Sequence, residues 1–484
     1  MTVGQLTALL PIIALGALPV ALILAIAIHR SERLTLGLTL AGLALALVAL
    51  IPAQRVAPIA VTPLLTIDGL ALAFTALAAL AGAATVLLAR SDLTRPPLDD
   101  EPPEELYVLV SLAVLGASVL AASRHLASLF LGLELISLSL FPLIAYARAR
   151  PEALEAGIKY LVLSSIATGL LLFGMAVLYA GLGSLELAAI GEALTQSAQA
   201  DLWVLGGIAL LLAGLGMKLS LVPLHWWTPD VYEGAPLAVT GFLASVAKAA
   251  VIVVLLRLLA AGDADAQAPV MLMLAGLAVL SMLIGNLLAL RQRRVVRILA
   301  YSSIAHMGYL LVALLAALFG TRSGAVGIGL EAVAFYLAAY VVTTLGAFGA
   351  LGLSGASDLT DLNGLADRRP WLAAAFTLML LSLAGIPLTA GFIGKVYLFA
   401  AGVEGALWLP VGVLVVGSVI GLFYYLRLVF AMYGGAPKPA ASAAPSAPLA
   451  GGTALAALTL ALIWIGVWPG PLIALIRTAM SGGP

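Results

Sequence analysis

The chain has 484 residues, of which 63% are hydrophobic and only 10% are charged, and its mean hydropathy is +1.16. Soluble domains carry about 25% charged residues, so this composition excludes an ordinary soluble protein and indicates a polytopic membrane protein. The sequence contains no cysteine, which excludes an iron–sulfur cluster or a thiolate-bound haem in this chain, and the net charge of +0 says nothing about partners.

Apolar runs separated by charged residues, proline or glycine predict an all-α polytopic membrane protein with about fourteen transmembrane helices. The first run lacks preceding basic residues and is too long for a signal peptide, so we expect it to be retained as a span. The predicted spans lie near 6–28, 34–52, 66–89, 105–122, 125–147, 154–180, 202–230, 235–260, 269–290, 295–318, 325–352, 371–400, 405–433 and 450–470.

Two of these spans, 202–230 and 371–400, are interrupted by prolines at similar positions and are five spans apart. An odd offset reverses orientation, so spans four to eight and nine to thirteen are predicted to form two inverted five-helix repeats, each with a broken helix. Paired interruptions of this kind indicate an ion path near the middle of the bilayer. The predicted parts are 1–104 (three helices and an acidic loop), 105–260 (first repeat), 261–433 (second, inverted repeat) and 434–484 (Pro/Ala linker and last helix).

The charged residues are distributed unevenly across the membrane. The loops on one side hold most of the 23 Lys and Arg residues, so the positive-inside rule predicts that this side is cytoplasmic and that both termini lie on the outer side. All arginines fall in loops or at span ends, whereas four lysines fall inside spans: Lys159, Lys218, Lys248 and Lys395. Guanidinium stays charged, but a lysine removed from water can exchange protons near neutral pH, which makes these lysines candidate proton carriers.

Glu134 and Lys218 are the first candidates for proton transfer. Each lies near the middle of its span, where ionisable residues are costly and are functional by default, although an acid can also be held there by a polar neighbour for packing. If the two face one another, the carboxylate holds the lysine protonated, and weakening the pair would release the proton. The sequence does not show that they touch.

Three further candidates continue the path. Lys248 is mid-span and too far from an interface to reach it, and Lys395 follows Pro387 in the second interrupted span, as expected of a terminal site. His306 titrates in a range that suits a relay between lysines, but a lone histidine among small residues is also often a hydrogen-bonded core residue.

Lys159 has two interpretations. It follows Glu155 by four residues, which places the pair on one face of a helix, so an ion pair at the membrane edge explains it as well as a proton-loading role does. His225, Asp230 and Glu233 lie at the end of the first interrupted span and are predicted either to form a proton uptake path or to cap helix ends.

Other polar residues are weaker candidates. Asp68 and Glu331 lie near span ends and are interpreted as edge residues, while Tyr301, Ser302 and Ser303 can support a water chain or simply let helices pack closely. Neighbouring helices are roughly 10 Å apart, so transfer between them needs intervening water that comes and goes. The sequence has neither a nucleotide-binding motif nor a redox centre, so a partner or an ion gradient must drive any pumping.

Three long motifs resemble one known family. They are KLSLVPLHWWTPDVYEGAPLAVTGFLASVAKAA at 218–250, VVRILAYSSIAHMGYLLVAL at 295–314 and DLNGLADRRPWLAAAFTLMLLSLAGIPLTAGFIGKVYLF at 361–399. Together they are similar to the antiporter-like subunits of respiratory complex I, and the resemblance covers most of the chain. It implies a fourteen-helix fold whose two repeats are half-channels.

The resemblance also implies roles for individual residues. Glu134 and Lys218 would be the pair of the first half, Lys248 the connecting lysine and Lys395 the lysine toward the exit, and His306 would lie on the central axis between them. The implied activity is proton translocation driven by electron transfer from NADH to quinone in partner subunits. No cofactor is expected in this chain, since NADH, FMN, iron–sulfur clusters and quinone would be bound by those partners.

The resemblance implies a location in the bacterial inner membrane and a set of partners. These are other membrane-arm subunits, including further antiporter-like subunits, together with the lipid bilayer, protons and internal water, and no nucleic acid. Two alternatives stay open. The chain could belong to a cation/proton antiporter or membrane-bound hydrogenase complex, or it could be a structural spacer that does not pump.

Overall fold

The computed structural model describes residues 1–93, 101–196, 202–260, 268–320, 327–434 and 449–480. Within these ranges, 13 helices are long and apolar enough to cross a membrane. A further pair of shorter helices, Pro370–Ala384 and Ala390–Glu404, occupies the predicted span 371–400. The prediction of a helical membrane protein with about fourteen spans is therefore confirmed, while parts of the two predicted linkers lie outside the described residues.

The α-helices of the described residues are numbered α1 to α20 in chain order. The first eleven are α1 (Val3–Ile28), α2 (Glu32–Val56), α3 (Gly69–Asp92), α4 (Pro103–Ala121), α5 (Leu126–Ile144), α6 (Pro151–Leu182), α7 (Leu187–Gln196), α8 (Leu202–Leu219), α9 (Trp227–Gly234), α10 (Leu237–Phe242) and α11 (Lys248–Ala260). The others are α12 (Ala268–Arg291), α13 (Val295–Gly320), α14 (Ile328–Ser354), α15 (Leu365–Arg368), α16 (Pro370–Ala384), α17 (Ala390–Glu404), α18 (Trp408–Tyr433), α19 (Leu449–Val467) and α20 (Gly470–Met480).

A short β-hairpin departs from the all-helical prediction. Strands β1 (Ile59–Thr62) and β2 (Leu65–Ile67) pair antiparallel, with Ile59 opposite Ile67. The segment is rich in β-branched residues and turns at Pro63, which disfavours a continuing helix. The hairpin is tied to the end of α4, since the backbone N–H of Thr66 donates to the carbonyl of Ala122 at 2.9 Å.

Both predicted helix interruptions are present. The first lies between α8 and α9, where Ser220 has a φ of 63° and Pro223 supplies no backbone donor. The second lies between α16 and α17, where Gly385 has a φ of 84° and Leu388 a φ of 71°. The inverted relation of the two halves stays a prediction, and so do the boundaries at 104, 260 and 433.

A third irregularity was not predicted. Residues Leu243–Ala247, between α10 and α11, form a π-helical turn, although the sequence there reads as a regular apolar helix. A π turn inserts an extra residue per turn and is frequent at functional sites, because it rotates the following side chains relative to those before it. Here the residue that follows is Lys248.

The depth of burial separates a central group of helices from a peripheral one. In the most apolar 18-residue stretch of Leu237–Ala260 every residue is buried inside the chain, and in that of Val295–Leu318 94% of the residues are buried. In the corresponding stretches of α1 and α2 only 28% are buried. The segments that carry Lys248 and His306 therefore form the centre of the fold. The apolar faces of α1 and α2 are available to lipid or to other subunits.

Candidate functional site

The Lys218 side chain lies among three oxygen-bearing groups. Its Nζ donates to Ser137 Oγ at 2.6 Å and to Ser164 Oγ at 2.5 Å, and it lies 3.9 Å from Glu134 Oε1. Glu134 in turn accepts a hydrogen bond from Thr168 Oγ1 at 2.6 Å. The structure thus brings together the two residues, Glu134 and Lys218, that the sequence singled out without showing a contact.

The geometry of Glu134 and Lys218 suits an ion pair whose two charges can move apart. The Lys218 side chain is only 7% exposed and that of Glu134 is 22% exposed. Because Lys218 lies in the last turn of α8, the negative end of the helix dipole also favours its positive charge. A separation of 3.9 Å leaves the hydroxyls as the direct hydrogen-bond partners, so the carboxylate contributes by charge and can be moved without breaking a direct bond to the lysine.

A cavity of about 20 Å³ adjoins Lys218, and its lining includes the polar side chains of Tyr160, Ser164 and Lys218. About 10–15 Å³ is enough for one water molecule, which needs two to four polar partners. This cavity meets both requirements.

Lys248 is held by hydroxyl and aromatic groups. It is 1% exposed, its Nζ donates to Ser303 Oγ at 2.9 Å, and it lies 5.4 Å from the centroid of the Tyr232 ring. Ser303 also hydrogen-bonds to the Tyr340 hydroxyl at 2.8 Å. Among the described residues, no carboxylate forms an ion pair with Lys248, so an ammonium here is stabilised by dipoles and a ring face only.

His306 lies on α13 with both ring nitrogens paired. Its Nδ1 is 2.7 Å from the Tyr336 hydroxyl and its Nε2 is 3.1 Å from the Tyr425 hydroxyl, and Tyr425 is also hydrogen-bonded to Ser302. The imidazole is 3% exposed. A histidine between two hydroxyls can pass a proton from one nitrogen to the other, and the same bonds also satisfy a core histidine, so both interpretations of His306 fit this geometry.

Lys395 uses an oxygen that the helix break provides. Its Nζ donates to the carbonyl of Ala384 at 2.8 Å, and Ala384 is the last residue of α16. The last carbonyls of a helix have no intrahelical partner, so interruption of the span creates the acceptor that holds this lysine. The ammonium also lies 5.4 Å from the centroid of the Tyr309 ring.

Several buried tyrosines and one asparagine between these sites were missed in the sequence. Asn286 Nδ2 donates to the Tyr309 hydroxyl at 2.9 Å, and the Tyr424 hydroxyl donates to Asn286 Oδ1 at 3.0 Å. The Tyr309 ring is 5.3 Å from the imidazole of His306. A polar residue inside an apolar run, such as Asn286 in LIGNLLAL, was the available signal.

Lys159 belongs to a network of ion pairs at one end of α6. Its Nζ lies 2.7 Å from Glu155 and 2.9 Å from Asp230, which confirms the predicted same-face pair and adds a second acid. Asp230 and Glu233 also bind Arg297, at 3.0 Å and 2.7 Å. These two acids of α9 therefore tie the end of the first broken span to α6 and α13.

Three other predicted polar residues are more buried than the sequence indicated. Asp68 caps α3 and pairs with Arg257 at 2.8 Å, and Glu331, in the first turn of α14, pairs with Arg477 at 2.7 Å. Both acids lie at helix starts as predicted, yet Asp68 is 4% exposed and Glu331 is 8% exposed. The sequence could not show the arginines that compensate them. His225 is buried as well, and its Nδ1 has no hydrogen-bond partner among the described residues.

Comparisons with known proteins agree with this architecture. Residues 123–421 match the family described as NADH:quinone oxidoreductase/Mrp antiporter, TM. The chain is 49% identical to the NADH-quinone oxidoreductase subunit N of Methylococcus capsulatus, over 98% of this chain and 95% of the relative. Within the parts of the chain that the structure describes, no group of three or more His, Cys, Asp or Glu residues is arranged to hold a metal ion.

Two solved structures share the fold. A chain of respiratory complex I from Thermus thermophilus, solved with bound aureothin, is 35% identical and superimposes with a TM-score of 0.80, over 97% of this chain and 99% of that one. A chain of the membrane-bound sulfane sulfur reductase, an archaeal respiratory membrane complex, is 26% identical with a TM-score of 0.82, over 99% and 97%. The chain is thus a multi-pass protein of the bacterial inner membrane, and it belongs to the family of NADH-quinone oxidoreductase N subunits.

Proposed function

We propose that this chain translocates protons as a membrane subunit of an NADH-quinone oxidoreductase, through a relay of Glu134, Lys218, Lys248, His306 and Lys395. The observation that carries the proposal is the burial of Lys218 and Lys248 and the partial burial of Lys395 beside helix irregularities, each with a hydroxyl or carbonyl oxygen on its Nζ. Electrons would pass from NADH through flavin and iron–sulfur clusters to quinone in partner subunits. This chain would contribute only proton transfer.

The first step is control of the Lys218 proton by Glu134. At about 4 Å and an effective dielectric constant of about 20, two unit charges attract by about 4 kcal/mol, so a change in their separation is enough to alter the proton occupancy of the lysine. A conformational or electrostatic signal from the electron-transfer subunits would move the two groups apart. Ser137 and Ser164 keep the lysine in place meanwhile.

The next steps carry the proton along the centre of the fold. Lys248 receives it beside Ser303, and His306 passes it between the hydroxyls of Tyr336 and Tyr425. Lys395 is the last carrier before release. Water must enter and leave between these groups, because a permanently hydrated path would leak protons.

Lys159 is proposed as the residue that loads protons at the cytoplasmic end. Its pairing with both Glu155 and Asp230 supports a structural contribution as well, so we assign it a smaller effect on pumping than Lys218. Both termini are proposed to lie on the outer side, as the distribution of basic residues between the loops predicts.

The partners proposed for the chain are other membrane-arm subunits, including further antiporter-like subunits. The thirteen candidate spans of the described residues leave broad apolar faces, and residues such as Leu24 on α1 and Val419 on α18 are more than half exposed in the isolated chain. Such faces fit neighbouring subunits or lipid.

A complementation experiment tests the proposal. Inverted membrane vesicles from cells that lack this chain should show little NADH-driven acidification, and the parent chain should restore it. Lys248→Ala should assemble without restoring it, whereas the matched control Lys438→Ala, in the Pro/Ala linker that the sequence predicts, should restore it fully. Restoration by Lys248→Ala would contradict the relay.

The same vesicles test the alternative that the chain belongs to another respiratory complex or to an antiporter complex. The structural likeness to the archaeal sulfane sulfur reductase complex is the observation that favours it. Ion movement that depends on this chain but does not respond to NADH would support that alternative. Normal pumping by every lysine variant would support a structural spacer.

A further inference from the structure

On the Lys218 side, one tyrosine lies next to the hydroxyls that hold the lysine. Ser137 and Ser164, the hydrogen-bond acceptors of Lys218, both interact with the Tyr160 hydroxyl as well. Tyr160 also lines the small cavity beside Lys218. A series of hydroxyl groups thus leads from Lys218 through Ser137 and Ser164 to Tyr160.

A second tyrosine, Tyr232, lies next to Lys248. Tyr232 presents its ring to Lys248 Nζ at 5.4 Å. Its hydroxyl lies within electrostatic reach of Ser303, which accepts a hydrogen bond from Lys248, and also of Tyr340 and Tyr160. The surroundings of Tyr232 therefore include Lys248 and Tyr160, which lines the cavity beside Lys218.

The Tyr232 hydroxyl has an unusual environment. The residue is 0% exposed, and its oxygen makes no hydrogen bond of ordinary geometry with any described residue. Buried hydroxyls are nearly always paired, and an unpaired one in a native protein indicates a function or a water that comes and goes. With Ser303 nearby but in no hydrogen bond of ordinary geometry, the Tyr232 hydroxyl can turn its proton toward Ser303 or away from it.

Aromatic rings lie between the two sites. The Tyr160 and Trp227 rings are 5.4 Å apart, Trp227 and Tyr232 are 6.3 Å apart, and Tyr232 and Phe348 are 5.9 Å apart. The indole N–H of Trp227 already donates to the carbonyl of Met217 at 2.9 Å, and an indole N–H accepts no proton. These rings form an aromatic wall of Tyr160, Trp227, Tyr232 and Phe348, in which the tyrosines supply the hydroxyls.

The backbone that carries Tyr232 is fixed by charge. Its neighbours Asp230 and Glu233, on the same short helix, are paired with Lys159 on α6 and Arg297 on α13. Tyr232 therefore stands on the second half of the broken span, while Lys218 stands on the first half. A change at the break would alter the position of the hydroxyl relative to Lys218.

We propose that the Tyr232 hydroxyl passes protons between the Lys218 site and the Lys248 site, as the proton-conducting group of the aromatic wall next to Lys248. The inference rests on the relay proposed above. One proton leaves Lys218 Nζ and crosses the Tyr160 hydroxyl and a water. Tyr232 accepts that proton, releases its own to Ser303, and Ser303 passes one to neutral Lys248; each hydroxyl then rotates back and the net transfer is one proton.

The test uses Tyr232→Phe in the assembled complex, because phenylalanine keeps the ring, its contact with Trp227 and Phe348, and its face toward Lys248. Removal of a positioned proton-transfer group slows its step by about 100-fold or more, so NADH-driven proton pumping should fall at least about tenfold. Phe348→Leu is the matched packing control, since it disturbs the same wall without removing a hydroxyl. We expect its pumping per assembled complex to stay near that of the parent.

The outcomes separate this inference from the relay itself. Normal pumping by Tyr232→Phe, with pumping lost in Lys218→Ala and Lys248→Ala, would overturn the role of Tyr232 and leave the relay intact. Normal pumping in all three would overturn the relay. Failure of Tyr232→Phe to assemble, when Phe348→Leu assembles, would show that the hydroxyl is needed for structure and would also overturn the inference.

Discussion

The two broken spans each carry a lysine that is largely shielded from solvent, buried at Lys218 and partly buried at Lys395, but they hold it differently. Lys218 lies in the last turn before its break and has two hydroxyl acceptors and a carboxylate 3.9 Å away. Lys395 lies after its break and reaches back to the carbonyl of Ala384 at 2.8 Å. In the described part of the chain no carboxylate forms an ion pair with Lys395.

The difference teaches how two similar helix breaks can serve different steps. Glu134 affects Lys218 through its charge alone, so a partner subunit that moves the Glu134 side chain would change how strongly Lys218 holds its proton. The Lys395 site has only neutral partners, so its proton depends on the geometry of the break and on water that reaches it. We therefore assign control to the first break and release to the second.

The largest effect is expected from Lys218→Arg. Guanidinium keeps the positive charge and can still pair with Glu134, but it does not deprotonate in proteins, so proton pumping should fall by about 100-fold, to background. Acidification of inverted vesicles measures this directly. Full pumping by this variant would show that the charge, and not the proton, of Lys218 is what matters.

Glu134→Gln should have the next largest effect. Glutamine can still accept the hydrogen bond from Thr168 but carries no charge, so Lys218 loses its counter-ion and pumping should fall by roughly tenfold, the equivalent of about 1.4 kcal/mol. The matched control is Glu404→Gln, which removes a carboxylate at the end of α17, outside the relay. If Glu134→Gln and Glu404→Gln reduced pumping equally, the carboxylate near Lys218 would not distinguish its site from that of Lys395.

Gly385→Ala tests the second break, which holds Lys395. Gly385 has a φ of 84°, and an added Cβ would lie 2.7 Å from Lys395 Cδ. The left-handed conformation costs an alanine about 1–2 kcal/mol, and the side chain of Lys395 must also move, so we expect pumping to fall by about threefold with a lower thermal stability. Gly355→Ala is the control, since it has a similar φ of 71° but open space around it.

The smallest effect is expected from Lys159→Ala. Its side chain is 38% exposed, and partly exposed ion pairs contribute only about 0.2–1 kcal/mol, so pumping should fall by less than about fivefold. The variant is measured beside Lys218→Ala in the same vesicles. A loss as complete as that of Lys218→Ala would show that Lys159 is an obligatory carrier.

Much of the fold follows from the sequence because a bilayer imposes a simple rule on span length and on helix breaks. The spans and both interruptions were predicted from apolar runs and from Pro223 and Pro387. The β-hairpin at 59–67 and the π turn before Lys248 were not predicted, since both depend on pairing and packing that periodicity does not report.

The candidate site was predicted in its charges and in the hydroxyls of Ser302 and Ser303, but not in its other hydroxyls. A lysine inside an apolar run stands out, as Lys218 and Lys395 do, because its burial is costly. Ser137, Tyr232 and Tyr425 do not stand out, because serine and tyrosine are also common packing residues in membrane helices. Only the fold shows that Ser137 reaches Lys218 and that Tyr425 reaches His306.

The central claim is that Lys218 carries a proton whose release depends on the redox reaction. The most direct measurement is NADH-driven acidification of inverted vesicles that contain Lys218→Ala, with assembly of the complex confirmed on a native gel. We predict an assembled complex with little or no proton pumping. An assembled complex that oxidises NADH and pumps protons like the parent would contradict the account.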